Sequence, residues 1–197
     1  MKPWLALNQL GQDFELILVD VLKGEQKAAP FLAVNPLGVV PYYISETDQA
    51  IGESNAMLWH IAHGTWLMPD SKGEQAEALQ WMFFEQSKLE PFISPARFFN
   101  FILPDQRESH ADDIVKWQDA ARPGLAHLNQ HLENRTFMLA SGYSIADIAL
   151  FGYVHVLEEA GLSMNDYPYV ARWIQNVMQT EGFQPLQLLG ATQRAAA

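Results

Sequence analysis

Apolar residues over positions 2–10 recur on one side of a helix through Trp4, Leu7 and Leu10, and Pro3 suits a first turn. This segment predicts a helix that Gly11 ends. Residues 14–21 (Phe-Glu-Leu-Ile-Leu-Val-Asp-Val) are apolar on both faces over most of their length. That is the pattern of a strand in a sheet covered on both sides. Residues 23–32 are polar, with weak helical character. Two short strands follow, at 42–44 and 49–51, and then a helix over 55–66. The predicted order is helix, strand, weak helix, strand, strand, helix.

The pattern changes after Pro69-Asp70-Ser71-Lys72-Gly73, which reads as a linker. Beyond it every periodic segment is helical. Residues 74–101 predict a long helix or bent pair, kinked or broken at Pro91 and Pro95. Residues 109–132 predict an amphipathic helix interrupted at Pro123-Gly124. Residues 144–160 are apolar nearly all round, which predicts the core helix of a second domain. Ser144 opens that helix with a capping box, its hydroxyl on the N–H of Asp147 while Asp147 reaches back to Ser144. Residues 168–180 predict one more helix, and residues 193–197 a poorly anchored tail. The domains expected are therefore 1–68, a linker at 69–73, and 74–197.

Composition narrows the class. The 197 residues are 49% hydrophobic and 18% charged, with a formal net charge of −11. That charge disfavours nucleic acid and anionic membrane as partners. There is no cysteine, so this chain can form no internal disulfide, thiolate metal site or cysteine nucleophile. No apolar run approaches the ~18 residues of a membrane helix. The first residues lack a secretory pattern, so a cytoplasmic location is expected.

The richest chemistry lies in Asn35-Pro36-Leu37-Gly38-Val39-Val40-Pro41 and Glu53-Ser54-Asn55-Ala56. An X-Pro bond can be cis at a cost of only about 0.5–1 kcal/mol. A cis Val40-Pro41 bond would turn the N–H and C=O of Val40 outward, free to pair with an extended peptide. Ser54 is a good N-cap, and a helix N-terminus attracts a carboxylate. Together these features suit a short peptide that carries a carboxylate at one end.

Asn-Pro-x-Gly-x-Val-Pro followed by Glu-Ser-x-Ala resembles the glutathione-binding half of a glutathione S-transferase. Three later stretches are similar to the helical half of bacterial members: Gln80 to Gln86 with Glu90-Pro91 and Ala96-Arg97-Phe98; Ser144 to Leu150; and Tyr167-Pro168 with Trp173. The resemblance runs to about Leu189. It implies a thioredoxin-like α/β domain, lacking its first strand, followed by an all-α helical domain. It implies glutathione as co-substrate with no other cofactor, a small hydrophobic electrophile as second substrate, and a homodimer. Val40, Pro41, Glu53 and Ser54 would bind glutathione. Glu53 would take its ammonium, while Ser54 and the helix start take its carboxylate.

The chain departs from the family at its front. A family member opens with a strand and a loop bearing a catalytic Ser, Tyr or Cys, whereas this sequence opens inside the helix that follows them. No catalytic residue is therefore assigned within it. The absent strand would lie between residues 14–21 and 42–44 and would leave two edges unpaired. Three arrangements could satisfy those edges: further chain upstream, direct pairing of the remaining strands, or a strand from another chain. The function implied is conjugation of the glutathione thiolate to small electrophiles. The alternative is a non-catalytic glutathione-binding or protein-interaction module on the same fold.

Other candidates weigh less. Lys2, near the first helix start, could supply positive charge to a thiolate. Phe98, Phe99 and Phe101 are the candidates for a second-substrate pocket, while the aromatics from Trp81 to Phe92 read as core. Glu85 and Gln86 could reach across a dimer interface to the partner's ligand. His127 and His131 stand four apart on a helix but lack a third metal ligand, and no metal site is expected.

Overall fold

The computed structural model describes residues 1–186. Its first half contains α1 (Lys2–Gln9), α2 (Ala29–Val34), β1 (Tyr43–Ile44), β2 (Ala50–Ile51) and α3 (Ser54–Ala62). Its second half contains α4 (Lys72–Phe84), α5 (Glu90–Arg97), α6 (Ala111–His131), α7 (Ile145–Val154) and α8 (Pro168–Met178). The two strands pair antiparallel, Tyr43 opposite Ile51 and Ile44 opposite Ala50. One apolar core runs through both halves, from Leu5, Met57 and Leu58 to Leu150, Phe151 and Trp173. The expected tail at 193–197 lies outside the described residues.

The strand expected at 14–21 is not formed. The segment is irregular, and among the described residues no backbone hydrogen bond engages positions 13–19. Ile17 is 73% and Leu18 62% exposed. A strand exists only through its ladder, and β1 spends one edge on β2 without reaching this segment on the other. Direct pairing of the remaining strands is therefore not what the chain adopts. Local contacts hold the segment's ends. Phe14 packs edge-on against Trp4 at 5.4 Å, and Asp20 accepts from the backbone N–H groups of Leu22 and Lys23 at 3.0 and 3.2 Å.

The helical half also differs from the reading of its prolines. Pro123 sits inside α6, which continues without a break to His131. Gly124 explains part of this continuity, because it lets α6 approach Leu89 and Lys88 closely. A Cβ there would stand 2.9 Å from Leu89 Cδ2 and 3.0 Å from the Lys88 carbonyl oxygen. The long segment 74–101 carries two π-turns, Glu85–Leu89 and Phe98–Ile102, which flank α5, and Pro91 and Pro95 both lie within α5 without breaking it. α7 is shorter than expected, and a 3₁₀ turn at Leu157–Ala160 follows it.

The capping box is present in both directions, and Ser144 Oγ has a further donor. Ser144 Oγ accepts from the Ala146 N–H at 3.2 Å, and Asp147 Oδ2 accepts from the Ser144 N–H at 3.0 Å. The other oxygen of Asp147 accepts from the Met138 N–H at 2.9 Å and from Trp173 Nε1 at 2.8 Å. This buried carboxylate thus ties α7 to α8 and to the preceding loop.

Candidate functional site

Asn35 builds the loop ahead of β1. Buried, it donates through Nδ2 to the Val39 carbonyl at 2.8 Å and accepts at Oδ1 from the Leu37 N–H at 3.2 Å. Gly38 has φ +59°, and a Cβ there would stand 2.8 Å from the Gln26 carbonyl oxygen. Only glycine satisfies both conditions. The loop delivers Val40 and Pro41 to the surface, and the bond between them is cis. Among the described residues the N–H and C=O of Val40 have no backbone partner.

The start of α3 lies 13 residues further along the chain, after the β1–β2 hairpin. Sequence reasoning made Ser54 the N-cap, but the cap is Glu53 and Ser54 is the first helical residue. Glu53 is exposed and holds φ +61°, an uncommon backbone state for a residue with a side chain. The first N–H bonded within the helix is that of Met57, to the Glu53 carbonyl at 3.0 Å. The N–H groups of Ser54, Asn55 and Ala56 therefore remain for a ligand, at the positive end of the helix. Ser54 is half-buried beside them.

Lys2 and Glu85 are not where sequence reasoning put them. Lys2 is 3% exposed and donates to Glu85 Oε2 at 2.6 Å, so its charge is already compensated. Glu85 is 0% exposed and does not reach outward to a partner chain. Burial pushes its carboxyl above the usual carboxylate range, and the Lys2 charge opposes that rise. The side chain that sequence reasoning missed is Asn55. Its Oδ1 accepts from Lys2 Nζ at 3.0 Å, and its Nδ2 donates to the Met82 carbonyl and to Gln86 Oε1, both at 3.1 Å. The signal available was an acidic residue directly after the apolar run Trp81-Met82-Phe83-Phe84, which needs an internal partner if it turns inward.

Of the pocket candidates, Phe99 is engaged in a stack, 3.7 Å from the ring of His110 and 5.9 Å from that of Trp117. Phe98 meets Phe99 edge-on at 5.3 Å, and Phe101 is half exposed beneath the Arg97 guanidinium. Two cavities lie elsewhere. One of about 710 Å³ is bounded by His131, Arg135 and Phe137, and one of about 390 Å³ by Asn8, Gln9 and Trp66. The rings of His127 and His131 pack on Trp81 at 5.7 and 4.5 Å. Among the described residues no group of three or more His, Cys, Asp or Glu is placed to hold a metal.

Family comparisons cover both halves. The family model described as glutathione S-transferase, N-terminal domain, matches residues 1–64. That described as glutathione S-transferase, C-terminal domain, matches residues 76–176. The disulfide-bond oxidoreductase YfcG of Escherichia coli is 30% identical over 183 residues, spanning 89% of this chain and 84% of that protein. A glutathione S-transferase structure from Pseudomonas fluorescens superposes with a TM-score of 0.90 at 34% identity, covering 94% of this chain and 92% of the other. A possible glutathione S-transferase from Rhodopseudomonas palustris superposes at 0.89 with 38% identity, covering 93% of this chain and 83% of that one.

Proposed function

This chain belongs to the glutathione S-transferase family, and we propose that it binds glutathione and directs its thiolate at a small apolar electrophile. One observation carries the reading: free backbone groups at Val40 and free N–H groups at the start of α3 lie in the two segments that a γ-glutamyl peptide needs. The cysteinyl backbone of glutathione pairs with Val40 as an added strand. Its γ-glutamyl carboxylate sits on the N–H groups and hydroxyl at Ser54, and its ammonium meets Glu53. The bound sulfur faces the start of α1, where the helix dipole favours a thiolate. A thiol near its free value of about 8.5 is only slightly ionised at neutral pH, so a fall in that pKa is what such a site contributes. Phe98 and Phe101 supply apolar surface for the electrophile. A homodimer acting in the cytoplasm completes the proposal, and Phe83, exposed on α4, is an apolar side chain that a partner would cover.

A non-catalytic binding module is favoured by a different observation. The first turn of α1 (Lys2, Pro3, Trp4, Leu5) offers no hydroxyl or thiol to hold a thiolate. Calorimetric titration with glutathione tests the grip, and conjugation of a generic aryl halide tests the chemistry. Binding with turnover supports the transferase, and binding without turnover supports the module. No binding at millimolar glutathione refutes both.

A further inference from the structure

We propose that Lys2, Asn55 and Glu85 act together as positioning residues, locking the N-terminus of α1 to that of α3 so that the sulfur and the γ-glutamyl end of glutathione are held in a fixed relation. The proposal rests on the glutathione-binding reading. Lys2 is the first residue of α1, and Asn55 is the second residue of α3, directly after Ser54. These are the two helix ends that the ligand would bridge. Both converge on Glu85 Oε2, Lys2 Nζ at 2.6 Å and Asn55 Nδ2 at 3.3 Å, and they are joined to each other at 3.0 Å. Glu90 stands 3.8 Å from the same ammonium. Asn55 is further tied to the Met82 carbonyl, so the start of α3 is anchored on α4 as well.

Three features set this cluster apart from an ordinary stabilising contact. A buried ion pair is weak grounds for stability, because well-packed apolar residues often replace one without loss. Glu85 Oε1 is buried with no partner among the described residues, so the pair is not optimised for stability. Glu85 also opens a π-turn, an irregularity found frequently at functional sites. The Lys2 stem is accommodated by a gap in α7. A Cβ at Gly152 would stand 2.9 Å from both Lys2 Cγ and Lys2 Cε, so only glycine there lets the lysine pass inward to its carboxylate.

The test compares the full chain with Lys2→Met, Glu85→Gln and the double variant Lys2→Met/Glu85→Leu. Glutathione affinity is read by calorimetry, melting temperature by circular dichroism, and hydrogen exchange at the first bonded amides of the two helices, Leu5 and Met57. Lys2→Met leaves a buried carboxylate unpaired and is expected to melt earlier. The double variant removes both charges and is expected to regain its melting temperature. Its affinity should nevertheless stay about tenfold weaker, because the side chains that meet the ligand must now be ordered on binding. Both reporter amides should lose protection together. Affinity returning with stability in the double variant would reduce the cluster to a structural role and overturn the proposal. If the wild-type chain binds no glutathione, the functional reading fails on its own, and exchange decides separately: unchanged protection at Leu5 and Met57 in the double variant refutes the lock itself.

Discussion

Replacing Asp147 with alanine removes the acceptor of three buried N–H donors at once. Met138 N–H and Trp173 Nε1–H point at one oxygen at 2.9 and 2.8 Å, and Ser144 N–H points at the other at 3.0 Å. The side chain is fully buried, so bulk water does not replace it without rearrangement. A buried donor left without a partner costs about 1–3 kcal/mol, and partial relaxation brings the expected total for Asp147→Ala to about 4 kcal/mol. Asparagine distinguishes the two oxygens. Its Oδ1 can keep Met138 and Trp173, while its amide group opposes the Ser144 N–H, for an expected loss of about 2 kcal/mol. Urea unfolding followed by far-ultraviolet circular dichroism measures both, provided the slope is unchanged. Trp173→Phe should cost less in the Asp147→Ala background than in the wild type, by roughly 1 kcal/mol, because its donor has already lost its acceptor. An Asp147→Ala variant that loses less than 1 kcal/mol, or ranks above Asp147→Asn, would refute this account.

Gly124→Ala should destabilise by about 1 kcal/mol in the same assay, since overpacking against Leu89 and the Lys88 carbonyl outweighs the gain in helix propensity. Glu53→Gly should hold or raise stability by up to about 1 kcal/mol by relieving the positive φ. The same change should weaken glutathione binding in calorimetry, and Ser54→Ala should weaken it without a stability gain. Burial lowers the pKa of His155 below its ordinary 6.5, with the Phe151 carbonyl opposing. A depressed folded pKa contributes stability that is full above 6.5 and lost as pH falls through the folded value. Wild-type stability should therefore fall below pH 6.5 relative to His155→Phe, which lacks the titrating group, as read by urea titrations at several pH values.

The two segments on which the proposed glutathione site rests are legible in the sequence because their devices are local. Asn35, Gly38 and Pro41 act within one loop, and Glu53 and Ser54 at one helix start, so chain order alone places them. Helices α1, α7 and α8 were legible through apolar periodicity and end signals, and the Ser144–Asp147 box through its spacing. The second donor set of Asp147 was not. Trp173 lies 26 residues away, and nothing in either segment marks the pairing.

What the sequence determined by itself is the set of short-range devices: caps, turns, helical faces and the loop that presents Val40. What only the tertiary structure decided depends on partners distant in the chain. Residues 14–21 have the composition of a strand, yet they form none, because a strand is defined by its neighbour and not by its own pattern. Lys2 reads as a positive charge available to a thiolate, yet it is buried against Glu85, 83 residues on. Pro123 reads as a break, yet α6 runs through it, because helix packing can outweigh one lost hydrogen bond. In each case the local pattern stated a preference, and the presence or absence of a partner distant in the chain settled the outcome.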